Sequence, residues 1–488
     1  MAGINFASEE DRERYEEIVR MTNASRQQIN DELEAIFMNK KAQVVNSSIT
    51  AELQKILKKY EGNKKKPAVA LSANKATLAT RNVAYQYVPD NFNFIFEAPN
   101  TAKIMPKVLN TWNGYYFGEP SAMATQELEN QLEKMTRRYK DSFGIEEFQR
   151  LTQMSGQETI SVVGRVCIDD RDEKNDIYLE DISSSVALDL KALPEYVLFN
   201  GQIIIAKGTC DSFVFSAEQI GTEINLEWID RKSSEWAYNE PPVIVAVAAG
   251  PFTDPDNLEY LPLQRFIDTI ANNVNSLILI GPLVDAEHRI IKCQQINSQF
   301  LNVENGTYED LFNALSNYIN SRFKEVIIVP SIREMTHFYP LPQPPYDGMS
   351  ASNPCTLKIK DVTIGIVPYD LWKEVISSST YKSRSMINKI EVASHQILHQ
   401  LSYLPVYPSD LPVEYAHYSK FQLDNPPHII LTSSSMALQT FREGGTICVN
   451  IQNLLKSPGQ VTYCLINIAS PMVNQERIAV KIVKDSFQ

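Results

Sequence analysis

Apolar positions along the chain fall into three rhythms. From Ser8 to about Tyr60 they recur at three- and four-residue spacing: Tyr15, Ile18, Val19, Ile29, Leu33, Ile36 and Phe37, then Ile49, Leu53, Ile56 and Leu57 after Asn46-Ser47-Ser48. That is the period of one helix face, and Ser8 three residues ahead of Asp11 makes a capping-box-like start. Residues 1–60 are therefore expected to form two or three short amphipathic helices, packed on one another or offering a docking face to a partner. After Lys58-Lys59 the pattern lapses. Gly62-Asn63-Lys64-Lys65-Lys66-Pro67 and a run of Ala, Ser, Asn and Thr to about Asn91 bury too little surface to order themselves, which predicts a flexible linker over residues 61–95. Its lysines read either as solvated linker charge or as a nuclear import signal.

A helical stripe returns at Thr125–Tyr139, where Leu128, Leu132, Met135 and Tyr139 share a face. From Glu158 the second rhythm begins, with a period of two. Thr159–Cys167, Ile177–Ile182, Val186–Leu190, Gln202–Thr209 and Phe213–Ile220 read as five short strands separated by polar turns. Five strands with a longer insertion between the third and fourth, Lys191–Asn200, suit an OB barrel, so residues 96–238 are expected to be a helix followed by an OB-fold domain. The third rhythm starts at Pro241. Val243–Ala248, Leu277–Ile280, Glu325–Val329, Thr363–Val367 and His428–Thr432 are short apolar runs, with helical stretches Leu263–Ala271, Tyr308–Tyr318 and Ile387–Leu401 between them. Residues 239–488 are thus expected to be an α/β domain whose chemistry would lie in the loops after its strands. Only Arg231-Lys232-Ser233-Ser234-Glu235 parts the barrel from Pro241, so the two should pack as one unit.

Those loops read Ala249-Gly250-Pro251-Phe252, Gly281-Pro282-Leu283-Val284-Asp285, Pro330-Ser331-Ile332-Arg333-Glu334-Met335-Thr336-His337 and Ser433-Ser434-Ser435-Met436. Their succession resembles the calcineurin-like metallophosphoesterase fold, whose loops carry Asp-x-His, Gly-Asp-x-x-Asp, Gly-Asn-His-Asp/Glu and Gly-His-x-His in that order. Two divalent metals close together need a bridging carboxylate and several imidazole, carboxylate or amide ligands. Here the pattern is stripped. Gly250 and Phe252 stand where Asp and His belong, and Pro282 replaces the bridging Asp, leaving Gly281 and Asp285 of that motif. Pro330-Ser331-Ile332-Arg333 replaces the third motif, and serines and a methionine replace the last histidines. Asp285, Glu287, His288, Glu334 and His337 remain nearby, read as loop hydrogen-bonding or surface groups. No catalytic, metal-ligating or cofactor-binding residue is expected. His395 and His399 share a helix face, but no glutamate accompanies them in a zinc motif. Phosphate-cradling glycine loops and a nucleophile elbow are absent as well. Pro340, Pro342, Pro344 and Pro345 stiffen the loop after the third strand into a polyproline-like segment. Its Phe338, Tyr339, Leu341 and Tyr346 are expected to form an interface or to lid the vacated cleft.

Composition narrows the setting. With 43% hydrophobic and 22% charged residues the chain is a folded, soluble type, and at 488 residues it needs two or three domains. Its net charge of −13 repels phosphate backbones, so contact with DNA is expected only through other subunits. The six cysteines are scattered without a C-x-x-C pair, which suits buried free thiols rather than disulfides or zinc. Met1-Ala2-Gly3-Ile4-Asn5 lacks the basic head and apolar stretch of a signal peptide, and no run reaches membrane-spanning length. Residence in the cytosol or nucleus is the expectation.

An OB barrel followed by an inactivated phosphoesterase resembles the B subunits of eukaryotic replicative DNA polymerases, those of polymerase alpha most of all. In the barrel the likeness rests on Val163-Gly164-Arg165-Val166 and Tyr196-Val197-Leu198-Phe199-Asn200-Gly201-Gln202. Beyond it, Gly281-Pro282-Leu283-Val284-Asp285-Ala286-Glu287-His288, Val329-Pro330-Ser331-Ile332-Arg333-Glu334, Tyr339-Pro340-Leu341-Pro342-Gln343-Pro344-Pro345 and Tyr403-Leu404-Pro405-Val406-Tyr407-Pro408 continue it. The resemblance implies a nuclear, non-catalytic scaffold. It would hold the C-terminal domain of the polymerase alpha catalytic subunit, and through the complex the small and large primase subunits. Primers would be made this way at origins, on lagging strands and at telomeres, with telomere-maintenance and replisome factors as further partners. Two other functions stay open: an active metal-dependent phosphoesterase or nuclease, and a single-strand binder stacking bases on Tyr178 or Phe213 of the barrel.

Overall fold

The computed structural model describes residues 82–486 apart from 91, 101, 111, 113, 115, 117, 119, 154–157, 170–175, 212, 227–239, 350, 384–387, 458 and 471–475, together with Ser8, Asp11, Tyr15, Ile36, Val44, Ile49 and Thr50. Residues 1–78 and 79–488 are two separate units. In the first, Ser8 makes the capping contact at its start: the Asp11 amide donates to Ser8 Oγ at 3.2 Å, and that hydroxyl donates to Asp11 Oδ2 at 2.8 Å. Tyr15, Ile36 and Ile49 are helical and buried, as the stripe requires. The remaining stripe positions, the lysine cluster and the segment Arg231–Glu235 lie outside the described residues.

The larger unit opens with strands β1 (Asn82–Tyr87) and β2 (Lys107–Val108) and helix α1 (Ser121–Phe143). Six strands follow: β3 (Ile160–Asp169), β4 (Asp176–Glu180), β5 (Ser185–Asp189), β6 (Tyr196–Phe199), β7 (Ile203–Asp211) and β8 (Val214–Gly221). Five of them close a barrel in the order β3-β4-β5-β8-β7. Strand β5 and the first half of β8 alternate buried and more exposed positions, and Val162, Val166, Leu179, Ile204 and Phe215 fill the interior. The expected OB barrel is therefore present. The insertion after the third barrel strand is not plain loop, because it carries β6, which pairs with β14 (Ser379–Lys382) from the domain beyond.

That domain is built on β9 (Val243–Ala249), β10 (Ser276–Ile280), β11 (Val326–Val329), β12 (Cys355–Ile359), β13 (Val362–Val367), β15 (Ile429–Ser433), β16 (Gln439–Glu443), β17 (Thr446–Ile451), β18 (Leu455–Ser457), β19 (Gln460–Ile468) and β20 (Ile478–Ser486). One sheet runs β1-β20-β19-β9-β10-β11 with β18 beside β19, and the other runs β16-β17-β15-β13-β12-β2. In each, three strands are parallel: β9, β10 and β11, and β13, β15 and β17. These are the continuous apolar runs of the sequence, buried on both faces as parallel strands must be. The two sheets face each other through Val245, Ile278, Ile364, Leu431 and Ile466. Helices α2 (Leu261–Ile270), α3 (Arg289–Lys292) and α4 (Tyr308–Arg322) belong to the first sheet's outer side, where Phe266, Ile267, Leu311 and Leu315 join its core. On the second sheet, α5 (Leu371–Ser377) and α6 (Lys389–Gln400) share one core with α1 and barrel residues Val163, Phe199 and Ile205. A helix–sheet–sheet–helix sandwich with a barrel packed on one side is the calcineurin-like phosphoesterase plus OB architecture that the sequence led us to expect.

Three expectations are corrected. The linker predicted as far as residue 95 gives way at Asn82 to β1, which pairs with β20, and Phe94, Ile95 and Phe96 pack on the core beyond it. Composition missed this because an edge strand needs few buried residues: Val83 and Tyr85 are exposed. The stretch assigned with the barrel from residue 96 serves the sandwich first. The Ala98 and Ile104 amides donate to Asn273 and Asn275 carbonyls at 2.8 and 2.9 Å, and β2 pairs with β12. Finally, Leu341 and Tyr346 are core residues at 0% and 3% exposure, which removes the interface alternative for these two and leaves them on the covering side of the loop.

Candidate functional site

The loops that would carry phosphoesterase chemistry all leave the C-terminal ends of β9, β10, β11 and β15. They are brought together, but closed against one another. The Gly250 amide donates to Ile280 O and the Gly281 amide to Val329 O, both at 2.8 Å, and cis peptide bonds follow at Gly250-Pro251 and Gly281-Pro282. A Cβ on Gly250 would lie 2.1 Å from Pro282 O, and one on Gly281 would lie 2.8 Å from the Tyr346 hydroxyl oxygen. Backbone thus fills the space beside Gly250, and the Tyr346 side chain closes the space beside Gly281. Phe252, in the first of these loops, is wholly buried in the apolar core.

At the centre of these loops sits Glu334. Its Oε2 accepts the Leu283 amide at 2.6 Å and the Tyr346 hydroxyl at 2.8 Å, while Oε1 accepts the Val284 amide at 2.8 Å. Burial pushes this carboxyl up to about 7, against the pull of those three donors. Beside it, Asp285 is held by Arg333, whose Nε and Nη2 donate at 3.2 and 2.5 Å. Pro330 and Ser331 turn the chain, and the Arg333 and Glu334 amides donate to Ser331 Oγ and Ser331 O at 3.2 and 3.0 Å. His288 Nε2 is 2.9 Å from Asp254 O and His337 Nε2 is 2.9 Å from Pro344 O; burial holds His337 below its usual range.

These residues do not fit a pair of metals. The two carboxylates are saturated by donors or by a guanidinium, the imidazoles point to carbonyls, and no bridging carboxylate stands at Pro282. In the last loop, Ser435 binds Asp370 through its amide and hydroxyl, at 2.8 and 3.0 Å, and Asn450 Nδ2 donates to Met436 O and Ala437 O. Among the described residues, the one group of three side chains able to converge on an ion is Glu223, His395 and His399, none of them from these loops.

The proline-rich loop covers this centre. Gln343 is buried, donating from Nε2 to the Ser331, His337 and Tyr339 carbonyls and accepting Asn353 Nδ2 at 2.8 Å. Leu341 is bound by backbone to Pro412 and Glu414, and a cis bond follows it, so the run is not a continuous polyproline helix. What remains outside is Phe338, 72% exposed, and Tyr339, 44% exposed, whose ring lies 4.9 Å from that of Tyr116. The sequence marks Glu334 as a loop or surface group and gives no sign of its burial. No local pattern signals it, because the two amides that hold it come from another loop.

On the barrel, Phe213 is exposed beside β8, whereas Tyr178 lines a groove of about 840 Å³ shared with Asp169, Glu180, Glu374 and Asp410. Four carboxylates around an aromatic repel a phosphate backbone and suit a basic polypeptide better.

Two family models match parts of this chain. The family model of the DNA polymerase alpha/epsilon B subunit matches residues 245–443, and that of the OB domain of the DNA polymerase alpha B subunit matches residues 125–220. The DNA polymerase alpha B subunit of Mus musculus is 27% identical over 357 residues, covering 68% of this chain and 58% of its own length. That of Rattus norvegicus is 26% identical over 353 residues, covering 68% and 57%. The chain therefore spans little more than half the length of these relatives. Among solved structures, Vacuolar Protein Sorting 29 of Cryptosporidium parvum aligns with 50% of this chain and 98% of its own, at 12% identity and a TM-score of 0.24.

Proposed function

We propose a function from one premise: the chain belongs to the family of DNA polymerase alpha/epsilon B subunits. It is a non-catalytic accessory subunit of the polymerase alpha–primase complex. It receives the C-terminal domain of the catalytic subunit and, through the complex, keeps the two primase subunits beside it for RNA–DNA primer synthesis. The same reading puts it in the nucleus, at origins, lagging strands and telomeres, with DNA contacted through its partners.

The observation that supports this most directly is the closure of the strand-end loops. Gly250 abuts Pro282, Phe252 fills the core, and Glu334 and Asp285 spend their oxygens on donors from the same fold. Such a centre holds its own loops in place and offers nothing to a phosphate ester. A barrel and a sandwich that share one core give a stiff platform, and the acidic groove and the net charge of −13 favour protein over nucleic acid as the partner. Phe338 and Tyr339 are the aromatic pair we assign to a docking surface.

Co-expression with the C-terminal domain of a polymerase alpha catalytic subunit, followed by gel filtration, tests the reading. A stoichiometric complex that also retains primase when the other subunits are supplied is the expected result. A chain that stays monomeric beside that domain, or that hydrolyses phosphodiesters with added Mn²⁺, would overturn it.

A further inference from the structure

Beyond the proposed scaffold role, the structure carries a cluster that neither the family likeness nor the strand-end loops explain. His395 and His399 lie one turn apart on α6, with ring centroids 4.4 Å apart. No glutamate stands between them on the helix, but the fold brings two to His395. Glu223 comes from the segment that leaves barrel strand β8, and Glu443 ends strand β16 of the sandwich. His395 stands between them, with Nε2 3.1 Å from Glu223 Oε1 and Nδ1 2.9 Å from Glu443 Oε1. One ligand atom each from Glu223, His395 and His399 lies within 4.8 Å of the others, against the roughly 3.3 Å between ligands of a tetrahedral ion, so the side chains must draw in on loading.

We propose that Glu223, His395 and His399 form a binding site for a divalent transition metal of the zinc class, clasping the barrel exit to helix α6. The donor set decides the class, since two imidazoles and one carboxylate select zinc or cobalt over magnesium or calcium. Glu443 has a separate part. By accepting Nδ1–H of His395 it fixes the tautomer that presents a bare Nε2 to the ion, the arrangement found behind metal-binding histidines generally. The site is open to solvent on one side, with the Glu223 side chain 68% exposed, so an ion can enter and a water can complete the coordination.

His399 must change state to take part. Its Nδ1 accepts the Ile224 amide at 3.0 Å, which leaves the proton of the neutral ring on Nε2. Loading the ion on Nε2 moves that proton to Nδ1, and the Ile224 hydrogen bond is given up. The proton balance of the ring is unchanged, and the Ile224 amide becomes a reporter of occupancy.

The test is calorimetric titration of the full chain with ZnSO₄, paired with Co²⁺ absorption spectra. One equivalent should bind with a Kd on the order of micromolar, as expected for three protein ligands rather than four. Tetrahedral cobalt bands should appear, and the Ile224 amide resonance should shift. His395→Ala and Glu223→Gln should each weaken binding at least tenfold, whereas Cys293→Ser, which removes an exposed thiol elsewhere, should leave it unchanged. No stoichiometric binding by the unaltered chain would overturn the site and leave a histidine–glutamate ion pair only. Binding that survives the His395→Ala/His399→Ala double variant would overturn it too, as adventitious zinc.

Discussion

At the scale of single residues, Glu334 is the position that ties the strand-end loops together. Its folded carboxyl titrates near 7, against an ordinary value of 4.5, because burial outweighs its three donors. Between those values the folded chain keeps a proton that the unfolded chain has released, so stability falls as pH rises from about 4.5 to 7 and is level above. The full span is on the order of 3 kcal/mol. Glu334→Ala should flatten that slope, and at pH 7 it should destabilise by about 2–4 kcal/mol through the amides and hydroxyl left unpaired; urea unfolding at a series of pH values measures both effects. The proline-rich loop divides in the same way. Leu341→Ala, in the core, should cost about 2–5 kcal/mol, whereas Phe338→Ala with Tyr339→Ala should leave melting nearly unchanged. If the docking assignment holds, the second pair weakens capture of the catalytic subunit's C-terminal domain at least tenfold; unchanged capture would reduce the loop to a lid. The loops that meet at the strand ends were legible in the sequence because each follows an apolar run of its own. The burial of Glu334 and Tyr346 was not, since it depends on amides of Leu283 and Val284 many residues away.

At the scale of elements, the apolar runs of β9, β10, β11, β13 and β15 and the stripe on α1 could be read because each element has a period of its own. Helix α1 shows how such a stripe becomes architecture. Met135 and Tyr139 are buried, the Tyr139 hydroxyl donates to Ile203 O at 2.8 Å, and barrel residue Arg165 donates to Leu128 O and Gln131 Oε1 at 2.8 and 3.0 Å. Met135→Ala should therefore destabilise by about 2–5 kcal/mol. Glu133→Ala, which removes only an exposed pair with Arg137 at 3.5 Å, should change stability by less than about 0.5 kcal/mol; thermal unfolding of the two variants side by side checks the contrast. Strands whose role is defined by a neighbour were harder to read. β1 is an edge with exposed residues, and β6 exists as a strand because β14 lies beside it. The same limit hid the Glu223 and Glu443 partners of the two helix α6 histidines, which no spacing on one element can display.

At the scale of the whole molecule, chain order and spatial order part company. The last strands, β19 and β20, enter the first sheet between β9 and β1, so the sheet is not complete until the C-terminal residues are in place. β19 pairs antiparallel with β9, and β20 is the strand against which β1 is laid. A chain ending at Ser470 would lose the buried side chains of Ile478, Val480, Ile482 and Val483, leave β1 without its partner and turn β19 into an exposed edge. At about 1.5–3 kcal/mol for each buried side chain the loss is on the order of 6–12 kcal/mol, as large as the whole stability of an ordinary domain. That truncation should give aggregated protein, or a chain that binds a hydrophobic dye and melts without a cooperative transition. Removal of residues 1–78 is the matched control, because the division between the two units falls after Leu78 and the barrel and sandwich share their core on the far side of it. The shortened chain from Ala79 should melt cooperatively within a few degrees of the full one, and limited proteolysis of the full chain should accumulate that same fragment with barrel and sandwich still joined. Separate barrel and sandwich fragments would show that the shared core of α1, α5 and α6 does not hold them as one body.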